Sequence, residues 1–155
     1  MIVADARFPD DALEPMAAIG IGAIYTRTPR KLPLRRTLVF DAHSFPSRPL
    51  PYERDMSSDR PDICIGTDRF HTPAALRDAF VSAFASVGFR VAVDTPFAWA
   101  LVPARHHRRD PRVQSVMVEV NRRLYLDEAT GLPAKGFAEV AAAVQACCIA
   151  ALDRL

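Results

Sequence analysis

The stretch LVFDAHSFPS, residues 38–47, begins as an apolar run and has an Asp, a His and a Ser directly after it. An uninterrupted run of this kind predicts a strand buried on both faces, here Leu38 to Asp41, as found in parallel sheets. Ligands of open parallel sheets bind in the crevice outside the carboxyl ends of the strands. Asp41 and His43 are therefore placed where a functional site can form, although a lone His there is more often a hydrogen-bonded structural residue than a metal ligand.

Further strands and helices are predicted downstream of this run. Apolar runs bounded by turn residues predict strands at residues 62–66, 89–93 and 113–120. Helical spacing of apolar residues predicts helices at residues 74–87 and 137–155, the first closed by Gly88. Strands that alternate with helices indicate an α/β sandwich with a mostly parallel sheet.

Length and composition narrow the class of protein. The chain has 155 residues, which fits one domain, and its formal net charge of +2 favours neither nucleic acid nor an anionic membrane as a partner. The N-terminus lacks a signal-peptide pattern, and no run approaches the roughly 18 apolar residues of a membrane span, so we expect a cytoplasmic protein. The three cysteines, at positions that favour burial, are expected to be reduced core thiols and offer no Cys-based zinc site.

Glu119 is the most informative ionisable residue, because it interrupts the apolar run VMVEV at residues 116–120. An unpaired charge buried there costs several kcal/mol, so the carboxylate must be paired, protonated or metal-bound. Two interpretations stay open: an ion pair with Arg122 or Arg123, or a general base close to a bound metal.

The catalytic interpretation gives each residue a role. If His43 helps to hold a divalent ion, the ion lowers the pKa of its water to about 7. Glu119 can then take the proton as the water attacks a carbonyl. Arg122 or Arg7 would bind a substrate carboxylate through two parallel hydrogen bonds. A catalytic zinc needs three protein ligands, however, and the chain has no His-x-x-Glu or His-x-His motif to supply the other two.

Several ordered segments resemble the N-formylglutamate amidohydrolase family. They are DAHSFPS at 41–47, DICIGT at 62–67, TPF at 95–97 and VEVNRRLYLD at 118–127, with weaker likeness in ADARF at 4–8 and EPM at 14–16. The resemblance implies a three-layer, phosphorylase/hydrolase-like α/β sandwich similar to that of zinc carboxypeptidases. It also implies hydrolysis of N-formyl-L-glutamate to glutamate and formate in histidine breakdown.

The resemblance also assigns residues. His43 corresponds to a zinc-binding His, Glu119 to the carboxylate that acts on zinc-bound water, and Arg122 and Arg7 to arginines of family motifs. The family's Pro-His-Ser motif and the acidic residue after it, which supply two further metal ligands, have no counterpart here, and neither does a helix expected before Thr37. We therefore expect a shortened family domain over residues 1–155, with one of three zinc ligands in place.

Two hypotheses follow for the function. The first is a zinc amidohydrolase acting on N-formyl-L-glutamate or a related N-acyl amino acid. The second is a catalytically inactive, truncated homologue that serves as a binding or assembly module. Apolar surface left by the missing elements would favour a homo-oligomer in either case.

Overall fold

The computed structural model describes residues 37–53 and 55–155. The regular elements of this part are, in chain order, β1 (Thr37–Phe45), β2 (Ile63–Gly66), α1 (Ala74–Ser86), β3 (Val91–Val93), β4 (Val113–Asn121) and α2 (Phe137–Leu152). A short 3-10 turn, Arg122–Leu124, follows β4 directly. Arg7 lies outside the described residues, and the single domain expected over residues 1–155 stays a prediction.

The four strands form one sheet in the order β1-β4-β2-β3. β1 pairs with β4 and β2 pairs with β3 in parallel, whereas β2 and β4 run antiparallel. The predicted α/β class with a mostly parallel sheet is thus confirmed. The carboxyl ends of β1 and β4 lie together at one end of the sheet, beside the start of β2.

Both helices pack on the same face of this sheet. α1 buries Leu76, Phe80 and Phe84 at helical spacing, and α2 buries Cys147 and Ala151 against the same cluster. The strands contribute alternate residues to this face, which in β4 are Val116 and Val118, with Ile63 and Ile65 in β2. Every second residue of β4 therefore points to the opposite face, and Glu119 is one of these.

The predicted helix boundaries are close to the observed ones. α1 ends at Ser86, and Gly88 adopts the left-handed conformation (φ 92°) of a glycine that closes a helix. α2 ends at Leu152 rather than at Leu155. Neither helix combines the length and apolar character that a bilayer crossing requires. Cys64, Cys147 and Cys148 are free thiols, as predicted.

β1 differs most from its prediction. The strand continues to Phe45, so Asp41, His43 and Ser44 lie within it rather than after it. Because successive side chains of a strand alternate between faces, Asp41 and His43 share one face and Ala42 and Ser44 share the other. The pairing of β1 with β4 places His43 directly beside Glu119.

Candidate active site

The face of the sheet opposite the helices brings the predicted site residues together. Glu119 in β4 lies between His43 of β1 and Cys64 of β2 in the strand register. An irregular segment, residues 94–101, runs over this face and is bound to it by hydrogen bonds. The Cys64 thiol donates to the Phe97 carbonyl at 3.1 Å, and the Leu101 amide donates to Asp41 Oδ2 at 3.0 Å.

Glu119 is buried without a complete set of partners. Only 7% of the residue is exposed, and Oε2 makes no hydrogen bond within residues 37–53 and 55–155. Burial raises the pKa of this carboxyl above its ordinary value. The neighbouring His43 and Arg122 side chains oppose the shift, and the Asp41 carboxylate adds to it.

The ion pair considered for Glu119 is not formed. The Arg122 guanidinium donates from Nε to Ser44 Oγ at 3.2 Å and from Nη2 to the Ser44 carbonyl at 3.1 Å. Arg123 instead forms a salt bridge of 2.6 Å with Asp62. The prediction of an ion pair with Arg122 or Arg123 was therefore wrong. The Glu119 carboxylate remains available at the site.

His43 is oriented by the neighbouring carboxylate on its own strand. Its Nε2 lies 2.7 Å from Asp41 Oδ1, and the imidazole is 52% exposed. A carboxylate acceptor favours the tautomer in which Nε2 donates, and in that tautomer Nδ1 presents a lone pair. A carboxylate that fixes the tautomer in this way is the usual outer partner of a metal-binding histidine.

Among the described residues, His43 suits one ligand position of a zinc site, but a complete zinc site is not formed. The donor chemistry of His43 suits zinc, which prefers imidazole nitrogen, thiolate sulfur and carboxylate oxygen. Across the described part of the chain, no three His, Cys, Asp or Glu side chains come together as a possible metal-binding group. Cys64 does not extend the set, because burial raises the pKa of its thiol to about 11 and the thiol is committed to Phe97.

Two features of the site had no signal in the sequence that singled them out. Arg60 is 1% exposed, forms a buried ion pair with Glu53, and lies about 6 Å from the ring centres of Phe45 and Phe97. This buried pair holds the loop after β1 against the end of the sheet. The second is Asp41, whose role in orienting His43 the sequence does not single out, although the spacing of two in a strand predicts a shared face.

Outside this face, His43 also borders an open groove of about 310 Å³ beside α2. The rest of its lining is mostly apolar and comprises Val120, Tyr125, Phe137, Val140, Ala141 and Val144. The basic loop at residues 104–111 lies at the surface, with an exposed His107 and exposed arginines.

The family model that matches this chain is that of N-formylglutamate amidohydrolase, over residues 23–126. The chain belongs to this family. The match includes β1, β4 and the site residues on the face opposite the helices, from Asp41 to Arg122. The family expected from the sequence motifs is thereby confirmed.

Among solved structures, the family member is similar to the crystal structure of N-formylglutamate amidohydrolase from Ralstonia eutropha JMP134. The two chains are 26% identical with a TM-score of 0.57, over 74% of this chain and 40% of the other. The matched part of this chain thus spans two-fifths of the length of that protein. No curated protein sequence matches it significantly.

Proposed function

We propose that the chain hydrolyses the amide bond of an N-acyl amino acid, with N-formyl-L-glutamate, the compound in the family's name, as the first candidate substrate. The observation that carries the proposal is Glu119, a buried carboxylate with an unpartnered oxygen beside the Asp41–His43 pair. A perturbed carboxyl with a positioned histidine next to it is a typical arrangement of a catalytic site.

Glu119 would act as the general base. It takes a proton from water as the water oxygen attacks the acyl carbon, and it then returns the proton to the leaving nitrogen. The carbon–nitrogen bond breaks, which gives a carboxylic acid and a free amino acid. The raised pKa of Glu119 suits both proton transfers, since a base whose pKa is closer to neutral pH both accepts and releases a proton readily.

Arg122 would bind the carboxylate of the substrate. Its Nε and Nη2 are held by Ser44, which fixes the guanidinium plane at the carboxyl ends of β1 and β4. A fixed guanidinium plane binds a carboxylate with defined geometry. Arg7, the second arginine suggested for this role, remains a prediction because it lies outside the described residues.

We also propose that His43 is a zinc ligand through Nδ1, with the other ligands supplied by a second copy of the chain. When bound, zinc would polarise the acyl carbonyl as a Lewis acid. Asp41 keeps the imidazole in the ligating tautomer, and its own second oxygen is held by the Leu101 amide.

The test measures zinc content and formate release for the purified full chain supplied with N-formyl-L-glutamate. We expect near-stoichiometric zinc that is lost in His43→Ala, together with formate release by the parent chain. His107→Ala is the matched control, because it removes another exposed histidine and should retain both properties.

Protein that contains no zinc and releases no formate would contradict the proposal. That result would favour the inactive binding or assembly module instead. Zinc retained in His43→Ala, with formate release intact, would remove His43 from the metal site while leaving the activity in place.

A further inference from the structure

Trp99 is held in a backbone conformation that its residue type disfavours. Its φ of 84° lies in the left-handed region, where the Cβ of an L-residue crowds the backbone. The residue is nevertheless 66% exposed, so burial of the indole does not offset this strain. Strained residues of this kind cluster at ligand-binding sites.

The strain persists because the backbone around Trp99 is fixed on both sides. The Phe97 carbonyl accepts from Cys64, and Leu101 both donates to Asp41 and accepts from Ser115 at 2.6 Å. Between these two anchors, the Trp99 carbonyl oxygen lies close to Gly66. A Cβ built on Gly66 would come within 2.4 Å of this oxygen. All of these anchors are on the face that carries Glu119.

The strand register shows where the Trp99 backbone lies along the site. Gly66 and Asp41 both align with Met117 of β4, two residues before Glu119. Arg122 lies three residues after Glu119, at the carboxyl ends of β1 and β4. Along the strands, the Trp99 backbone and Arg122 are therefore on opposite sides of Glu119.

We propose that Trp99 determines specificity by packing against the acyl group of the substrate, and that the chain prefers an apolar acyl group longer than formyl. This inference rests on the proposed function. With the amide at Glu119 and the carboxylate at Arg122, the acyl group extends toward Trp99. Trp99 carries the largest exposed side chain of residues 94–101, and a formyl group is too small to pack against it.

The test compares N-hexanoyl-L-glutamate with N-formyl-L-glutamate, which differ only in the acyl group. Binding is measured on Glu119→Gln, in which turnover is slowed, and hydrolysis is measured on the parent chain. Because Trp99 is the single tryptophan of the sequence, its fluorescence emission reports contact with the ligand directly. Calorimetry replaces fluorescence for Trp99→Gly, a substitution that a positive φ accommodates.

We expect the hexanoyl compound to change Trp99 emission and to bind at least about tenfold more tightly, the effect of burying roughly two methylenes. Trp99→Gly should abolish this preference, Trp99→Phe should restore part of it, and Leu132→Ala, which removes an exposed side chain elsewhere, should leave it unchanged. Equal binding of the two compounds, or a preference retained in Trp99→Gly, would overturn the proposal.

Two further outcomes separate the role of Trp99 from binding in the groove beside α2 and from the proposed activity. A preference lost in Ala141→Phe but kept in Trp99→Gly would assign the acyl group to the groove beside α2, and the proposal for Trp99 would be wrong. The predicted binding preference without hydrolysis of either compound would support the role of Trp99 and contradict only the proposed activity.

Discussion

Replacing Glu119 by glutamine should stabilise the fold, because the native carboxylate is buried with an unpartnered oxygen. A buried polar group left unsatisfied costs about 1 to 3 kcal/mol, and a charged one lies toward the upper end. Nearby His43 and Arg122 offset part of this cost. We therefore expect Glu119→Gln to raise the free energy of unfolding by about 1 to 2 kcal/mol at neutral pH.

The pH dependence distinguishes this explanation from a change in packing. The pKa of Glu119 is raised in the folded state, so between the unfolded and folded pKa values the folded chain binds the extra proton. Stability then falls as the pH rises through that interval and stays low above it. The difference between variant and parent should be close to zero at about pH 4, near the unfolded pKa, and complete at about pH 8.

Urea denaturation at both pH values measures the difference directly. Asp78→Asn is the control, since it neutralises a carboxylate that is 62% exposed and should change stability by less than about 1 kcal/mol at either pH. A Glu119→Gln variant that is less stable than the parent at the higher pH, or a difference independent of pH, would refute the reasoning.

Two other substitutions test the structure around the site. Gly66→Ala should destabilise the fold by about 1 to 3 kcal/mol in urea denaturation, because the new Cβ would lie 2.3 Å from Met117 Cε and 2.4 Å from the Trp99 carbonyl. A variant as stable as the parent would show that the segment does not press on β2. Arg60→Met should cost about 3 to 5 kcal/mol by leaving Glu53 buried without its partner, and adding Glu53→Gln should recover part of the loss. A single variant within about 1 kcal/mol of the parent, or no recovery in the double variant, would contradict a buried ion pair.

The position of Glu119 could be predicted from the sequence, but its environment could not. The run VMVEV specifies a central strand and a buried carboxylate in any sheet. Whether Arg122 or Arg123 neutralises that carboxylate depends on the turn after β4, where the arginines are drawn to Ser44 and Asp62 instead. Ser44 lies in β1 and Asp62 directly precedes β2, so the pattern within β4 does not reveal these partners.

The strand directions were only partly predictable. The unit β2-α1-β3 follows from two apolar runs joined by a helix, which requires a parallel pair. The residues between β1 and β2 and between β3 and β4 carry no helical or strand periodicity, so the antiparallel contact of β2 with β4 had no signal. β1 was predicted too short because Asp41 and His43 interrupt its apolar run, although polar residues at every second position suit one open face of a strand.

The proposed amide hydrolysis depends most on Glu119 acting as its base. The most direct measurement is kcat/KM for N-formyl-L-glutamate, from formate release, in the parent chain and in Glu119→Gln at matched zinc content. We predict a decrease of about 10² to 10⁴-fold in the variant, the usual contribution of a positioned general base. A variant that retains activity within about twofold of the parent would contradict the assignment.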